Sequence, residues 1–123
     1  YTVPAIGTPD EFAVMNTPDA MGGFLAILPK GSTWKNECPA RILLTVTMYR
    51  PVRFAGRVGC PLLVVAAKKD SLIPIEAVRK TAQRAPGGEL MEMDIGHFAI
   101  YTGKAFEKAV KRETAFLANH LGA

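Results

Sequence analysis

The sequence predicts an α/β fold built around a short parallel sheet. Residues 61–67 form an uninterrupted apolar run rich in Val and Leu, and residues 89–94 form a second, more alternating strand pattern. A helical pattern follows each of these runs. The order strand, helix, strand, helix is typical of parallel strands joined by crossover connections.

The first predicted strand covers residues 61–67, whose side chains show no polar alternation. Such a run is typical of a parallel strand that is covered on both faces. Pro74 suits the first position of a helix, and the apolar spacing after it predicts a helix over 74–84. The run Pro86-Gly87-Gly88 then interrupts the helical pattern.

The second predicted strand covers residues 89–94, and a loop leads from it to a final helix over 104–120. Apolar residues recur at helical spacing in that helix and predict a buried stripe: Phe106, Ala109, Val110, Phe116 and Leu117. Gly122 predicts the end of the helix. Because two strands cannot bury both faces of such a sheet, we expect more of the sheet to come from outside this chain.

Residues 1–56 differ in character from residues 57–123, and we expect the two parts to be structurally distinct. The motif Thr-Pro-Asp occurs at residues 8–10 and again at 17–19. Both copies predict a helix start, because Thr can cap free N–H groups and Pro fits the first turn. We therefore expect a mostly helical segment over 1–56. Residues 40–48 fit either a buried helix or a strand, and we favour the helix.

The composition is that of a globular protein with one core. Among 123 residues, 49% are hydrophobic and 21% are charged, and the mean hydropathy is +0.13. No apolar run approaches the ~20 residues that span a bilayer, so we expect no membrane span. The chain begins with Tyr1 and no leader pattern follows, so we expect it to lie within a longer reading frame.

The two cysteines, Cys38 and Cys60, are too few for a disulfide framework. Each precedes a proline, and neither has a second Cys or a His at the spacing of metal ligands. We therefore expect buried free thiols in a cytoplasmic protein. We also expect no metal and no organic cofactor.

Basic residues account for the net charge of +4 and are concentrated in one part of the sequence. No acid lies between Glu37 and Asp70, whereas six basic residues do: Arg41, Arg50, Arg53, Arg57, Lys68 and Lys69. One interpretation is a nucleic-acid binder, which predicts strongly salt-dependent retention. Because these residues are not clustered at helical spacing, we favour a solvated basic connecting segment and expect no nucleic-acid partner.

An acid and a histidine follow the two predicted strands. Asp70 comes shortly after the first strand, and His97 comes shortly after the second. The carboxyl ends of parallel strands meet at one edge of a sheet, where the active sites of α/β proteins lie. There the acid can hold one imidazole nitrogen while the other takes a proton from a nucleophile. Asp70 and His97 are therefore predicted to be catalytic, as two members of a Ser/His/Asp triad.

The nucleophile of that triad is missing from the sequence. The only serines are Ser32 and Ser71, and neither follows a predicted strand and opens a helix, as a nucleophile elbow does. We therefore expect the nucleophile and the oxyanion hole to lie outside this chain. The chain alone is expected to be inactive.

These features resemble the C-terminal part of the α/β-hydrolase superfamily. The resemblance rests on four stretches: Pro61 to Asp70, Ile73-Pro74, Gly96-His97-Phe98, and the last helix ending at Phe116-Leu117. It implies that Asp70 is the triad acid, that His97 is the base, and that the nucleophile lies upstream of this chain. It also implies that residues 1–56 are the cap over the active site and that 57–123 belong to the hydrolase core.

The resemblance implies a serine hydrolase of the esterase or lipase kind, which cleaves an ester bond of a small hydrophobic substrate through an acyl-enzyme, with an amide or a thioester as the alternative bonds. The implied partner of this chain is the missing N-terminal half of the fold or a second copy of the chain. The alternative is a non-catalytic hydrolase-like protein that binds a partner or ligand, in which Asp70 and His97 are structural. A G-x-S-x-G motif upstream would favour the hydrolase.

Overall fold

The computed structural model describes residues 1–46 and 48–122. The chain divides into two compact units, Tyr1–Arg50 and Pro51–Ala123. The first unit contains a short antiparallel strand pair, and the second contains a parallel strand pair with helices. The mixed α/β class predicted from the sequence is therefore confirmed.

The first unit is mostly irregular. Strand β1 (Thr2–Val3) pairs antiparallel with β2 (Cys38–Pro39). Helix α1 (Ala20–Ile27) has eight residues, and helix α2 (Ile42–Thr45) has four. The expectation of a mostly helical segment over 1–56 is therefore wrong.

The first Thr-Pro-Asp motif forms a turn because a more distant pairing competes with the helix. The backbone N–H of Thr8 donates to Oε2 of Glu11 at 2.8 Å, which closes the turn. The chain then returns, and Ile6 and Met15 form a parallel bridge. The second motif does precede a helix, since α1 begins at Ala20.

The side chain of Asn36 takes the place of a neighbouring strand. Its Oδ1 accepts the N–H of Ile6 at 2.9 Å, and its Nδ2 donates to the carbonyl of Ile6 at 2.8 Å. Ile6 is only 1% exposed. Both backbone groups of this buried residue are thereby satisfied, as buried polar groups require.

Residues 40–48 contain α2, so the predicted helix is confirmed for the part that the structure describes. Thr47 lies outside the described residues. The predicted burial is wrong, because Leu44 and Met48 are more than 70% exposed. The thiols also differ from expectation: Cys38 is half-buried, whereas Cys60 is exposed.

The second unit follows the predicted order closely. Strand β3 (Leu62–Ala67) leads to helix α3 (Ile75–Arg84), strand β4 (Gly88–Met93) and helix α4 (Gly103–Leu121). β3 and β4 are parallel, and their register runs from Leu62 opposite Gly88 to Ala67 opposite Met93. The predicted strand–helix–strand–helix order and the parallel pairing are confirmed.

The connection from α3 to β4 depends on two glycines. Gly87 has a φ of +69°, in the left-handed region that favours glycine. A Cβ on Gly88 would lie 2.1 Å from the carbonyl oxygen of Ala82, which is closer than any side chain can approach. Only glycine therefore lets β4 start directly against the end of α3.

The apolar stripe of α4 is only partly covered. Ala109 and Phe116 are buried, but Phe106, Val110 and Leu117 are 47%, 37% and 52% exposed. The prediction of a fully buried stripe is therefore wrong for the described residues. The reason is that their parallel sheet contains only β3 and β4, so one edge of β3 has no neighbouring strand. A groove of about 630 Å³ runs along β3 and α4 at this place.

Candidate active site

The site forms where β3 and β4 end. Ala67 and Met93 are the last paired residues of the two parallel strands. Beyond them, the N–H of Lys68 donates to the carbonyl of Met93 at 2.8 Å, and the N–H of Lys69 donates to the carbonyl of Ile95 at 3.0 Å. The two loops therefore leave the sheet side by side.

Asp70 and His97 lie on these two loops and are in contact. Oδ2 of Asp70 lies 2.8 Å from Nδ1 of His97. The Asp70 side chain is 12% exposed and that of His97 is 22% exposed, so water screens the contact only partly. The structure thus brings together the two residues that the sequence analysis singled out.

The carboxylate of Asp70 has a second set of partners. Its Oδ1 accepts the backbone N–H groups of Leu72 and Ile73, both at 2.8 Å. Partial burial raises the pKa of Asp70, but the hydrogen bond from His97, the two backbone N–H groups and the charge of His97 together outweigh it. The pKa of Asp70 therefore lies below its ordinary value, and the group is a carboxylate at neutral pH.

The imidazole of His97 is held from two sides. His97 is the first residue of a short 3₁₀ turn, His97–Tyr101. Its ring contacts the ring of Phe98 edge-on, with centroids 4.7 Å apart. Phe98 is 8% exposed and fixed in the core. When Nδ1 donates to Asp70, Nε2 of the neutral ring is an acceptor and can take a proton.

The sequence analysis missed an ion pair beside this contact. Nζ of Lys69 lies 3.0 Å from Oδ2 of Asp94, and both side chains are more than 60% exposed. The hydrogen bond from Lys69, the charge of Lys69 and the charge of Lys68 lower the pKa of Asp94. The available signal was the placement of opposite charges next to Asp70 and shortly before His97.

The other candidate groups lie elsewhere. Ser71 is in the loop between Asp70 and α3, and Ser32 is in a turn of the first unit, where its Oγ accepts the N–H of Trp34. His120 lies on α4, with its Nε2 3.8 Å from a carboxylate oxygen of Glu89. In residues 1–46 and 48–122, no group of three or more His, Cys, Asp and Glu side chains could hold a metal ion. None of the helices described there is long and apolar enough to cross a membrane.

Comparison with known proteins finds three curated relatives. The chain is 36% identical to the quorum-quenching protein AidA of Acinetobacter baumannii (strain MDR-ZJ06) over 115 residues, which are 94% of this chain and 38% of AidA. It is 33% identical over 88 residues to two Escherichia coli relatives, both named uncharacterized 31.7 kDa protein in the traX-finO intergenic region. That match covers 69% of this chain and 31% of each relative.

The chain spans about a third of the length of the curated relatives it matches. No model of a known protein family matches the chain. No solved structure matches it either.

Proposed function

We propose that this chain supplies the acid and the base of a serine hydrolase whose nucleophile lies outside it. The observation that carries the proposal is the 2.8 Å contact between Asp70 and His97 at the carboxyl ends of two neighbouring parallel strands. The chain spans 38% of AidA, which supports a parent protein longer than this chain. Within that fold we assign residues 1–56 to a cap and residues 57–123 to the core.

The proposed reaction divides the work between the two residues. A serine hydroxyl attacks the carbonyl carbon of the ester, and Nε2 of His97 takes its proton. The C–O bond to the leaving group breaks, and His97 returns the proton to the leaving oxygen, which leaves an acyl-enzyme. Water then attacks the acyl-enzyme in the same way, with His97 again taking and returning the proton, and the carboxylic acid product is released. Asp70 holds the tautomer and stabilises the imidazolium in both halves.

The proposed substrate is a small hydrophobic molecule with an ester bond, cyclic esters included. AidA is named a quorum-quenching protein. That name describes action against a signal between cells, and hydrolysis of an ester bond would be one way to end such a signal. We propose an ester of this kind as the substrate of the protein that contains the present chain, and we propose that this protein is a cytoplasmic enzyme that needs no metal.

The test uses the protein at its natural length. Hydrolysis of p-nitrophenyl esters with short acyl chains and of an N-acylated lactone is measured, together with inactivation by a fluorophosphonate that labels nucleophilic serines. His97→Ala should lower kcat by about a thousandfold or more, because the nucleophile loses its base. His120→Ala is the matched control, since the other histidine lies on α4 beside Glu89 and should leave kcat within about twofold.

Three results would contradict the proposal. The first is turnover that survives His97→Ala in a protein whose fold is unchanged by circular dichroism. The second is inactivation by a chelator but not by the fluorophosphonate. The third is tight binding of an acyl lactone with no turnover, which would favour the non-catalytic alternative, with Asp70 acting only on the turn it forms with Leu72 and Ile73.

A further inference from the structure

We infer that Lys69 and Asp94 are positioning residues, which together hold the loops of Asp70 and His97 at the distance that the acid–base pair needs. This inference rests on the proposed function, because positioning matters only if the pair transfers protons. Neither residue touches the imidazole by a described contact. Their effect on chemistry would therefore pass through the two loops.

Lys69 contacts the His97 loop twice. Its backbone N–H donates to the carbonyl of Ile95 at 3.0 Å, and its Nζ lies 3.0 Å from Oδ2 of Asp94. The next residue after Lys69 is Asp70, and His97 follows Asp94 by three positions. These contacts of Lys69, called here the Lys69 tie, therefore lie at the base of both loops, between the sheet and the site.

The position of this ion pair matters more than its strength. Both side chains are more than 60% exposed, and exposed ion pairs add little to the free energy of unfolding. A small rotation at the base of a short loop still displaces the group at its end. A misplacement of about 1 Å can cost about a hundredfold in rate. We therefore expect a loss of kcat without a matching loss of stability.

The second unit offers a matched control. Nε of Arg79 on α3 lies 2.6 Å from Oε1 of Glu92 on β4. This ion pair joins helix α3 to strand β4, and its side chains, 35% and 29% exposed, are less exposed than those of Lys69 and Asp94. It differs in that neither of its residues belongs to the loops that carry Asp70 and His97.

The experiment compares these pairs in the protein at its natural length. The variants are Lys69→Met, Asp94→Asn, the double variant, the exchanged pair Lys69→Asp with Asp94→Lys, and the control Arg79→Met. One readout is kcat and KM for a p-nitrophenyl ester. The other is the Nδ1–H resonance of His97 and its exchange with water, in protein labelled with ¹⁵N-histidine and assigned with a His97→Gln variant.

Each single variant should lower kcat by about three- to tenfold, leave KM within about twofold, and speed exchange of the Nδ1 proton by a similar factor. The double variant should be no worse than either single one, because the two residues act as one contact. The exchanged pair should recover most of the loss. Arg79→Met should change neither readout.

The inference is overturned if the Nδ1–H exchange is unchanged in both single variants, or if Arg79→Met has the same effect as Lys69→Met. Losses that simply add in the double variant would also overturn it. The NMR readout does not need turnover, so it separates the two proposals. If the unsubstituted protein is inactive but the variants exchange the Nδ1 proton faster, the proposed hydrolase function is refuted and the positioning role of Lys69 and Asp94 is kept. If the protein is active but the variants leave the exchange of the Nδ1 proton unchanged, only the positioning role of Lys69 and Asp94 is refuted.

Discussion

Asp70 reaches His97 across 27 positions of sequence with Oδ2 while Oδ1 accepts the N–H groups of Leu72 and Ile73 in its own loop. One carboxylate therefore shapes the loop and orients the imidazole at the same time. A substitution at this position that keeps the loop contacts separates the two roles.

Asp70→Asn is the substitution that does so. The amide oxygen can still accept hydrogen bonds from the N–H groups of the loop, but the amide nitrogen is a donor and cannot accept the hydrogen bond from Nδ1–H of His97. We expect kcat to fall by about 10³–10⁴-fold, because the ring adopts the wrong tautomer. Ester hydrolysis by the protein at its natural length measures this. The exposed Asp10→Asn is the control, and a loss of less than about tenfold at Asp70 would refute the role.

The lowered pKa of Asp70 predicts how stability depends on pH. A group whose pKa is lower in the folded state adds stability above its unfolded pKa and loses it as the pH falls through the folded value. At pH 7, Asp70→Asn should therefore lower the free energy of unfolding by about 1–3 kcal/mol. Below the ordinary value of 3.8 this difference should shrink. Urea unfolding from pH 7 to about pH 3 measures it, and a constant difference would contradict the prediction.

Gly88→Ala should destabilise the second unit, because its methyl group would meet the carbonyl oxygen of Ala82 at 2.1 Å. Backbone atoms on both sides must move, at a cost of about 1–3 kcal/mol. Gly59→Ala is the matched control, since a Cβ there has no described heavy atom within 4 Å. Thermal unfolding compares the two variants. Equal losses in both would show that the contact with Ala82 is unimportant.

The 123-residue chain purified by itself should associate and should not hydrolyse esters. Its exposed apolar side chains on α4 and the unpaired edge of β3 favour contact with another copy. Light scattering should give a mass above that of the monomer, and Phe106→Lys with Leu117→Lys should shift it toward the monomer. The control Leu121→Lys changes an exposed side chain of the same helix that does not line the groove along β3 and α4, so the mass should stay that of the unsubstituted chain. A monomer that melts cooperatively would contradict this prediction.

Asn36→Ala should expose the backbone of Ile6 to hydrogen exchange. The substitution removes both hydrogen bonds of that buried residue to the side chain, at 2.9 and 2.8 Å. Exchange of the Ile6 amide should speed by about tenfold or more, because the amide loses its described partner. Asn16→Ala is the control, since its side chain makes one exposed contact with Glu11. Unchanged protection of Ile6 would refute the strand-like role of Asn36.

The contact between Asp70 and His97 was predictable because it depends on local features of the sequence. The apolar run before Asp70, the start of α3 at Pro74 and the glycines before β4 together dictate a parallel pair with Asp70 and His97 at one edge. The Lys69 tie was not predictable in this way. It depends on which loop side chains face each other after the strands end, and periodicity does not encode that.

The first unit was less predictable for a different reason. Thr8-Pro9-Asp10 and Thr17-Pro18-Asp19 are the same motif, yet only the second precedes a helix. At the first motif, the pairing of Ile6 with Met15 favours a turn over a helix, and a short sequence motif does not predict a pairing with a more distant residue. The stripe of α4 shows the same limit, since periodicity identifies an apolar face but not what covers it.

Leu62 to Phe98 is one uninterrupted run that carries both Asp70 and His97 together with the strands and the crossover helix that set their distance. A gene segment that encodes this run would transfer the pair to another protein with its geometry intact. In the proposed reaction, the nucleophilic oxygen belongs to a residue outside this run. Fusion, duplication or division of the gene anywhere before Leu62 would therefore leave the contact between Asp70 and His97 whole, and in the proposed hydrolase it would change only the source of the nucleophile.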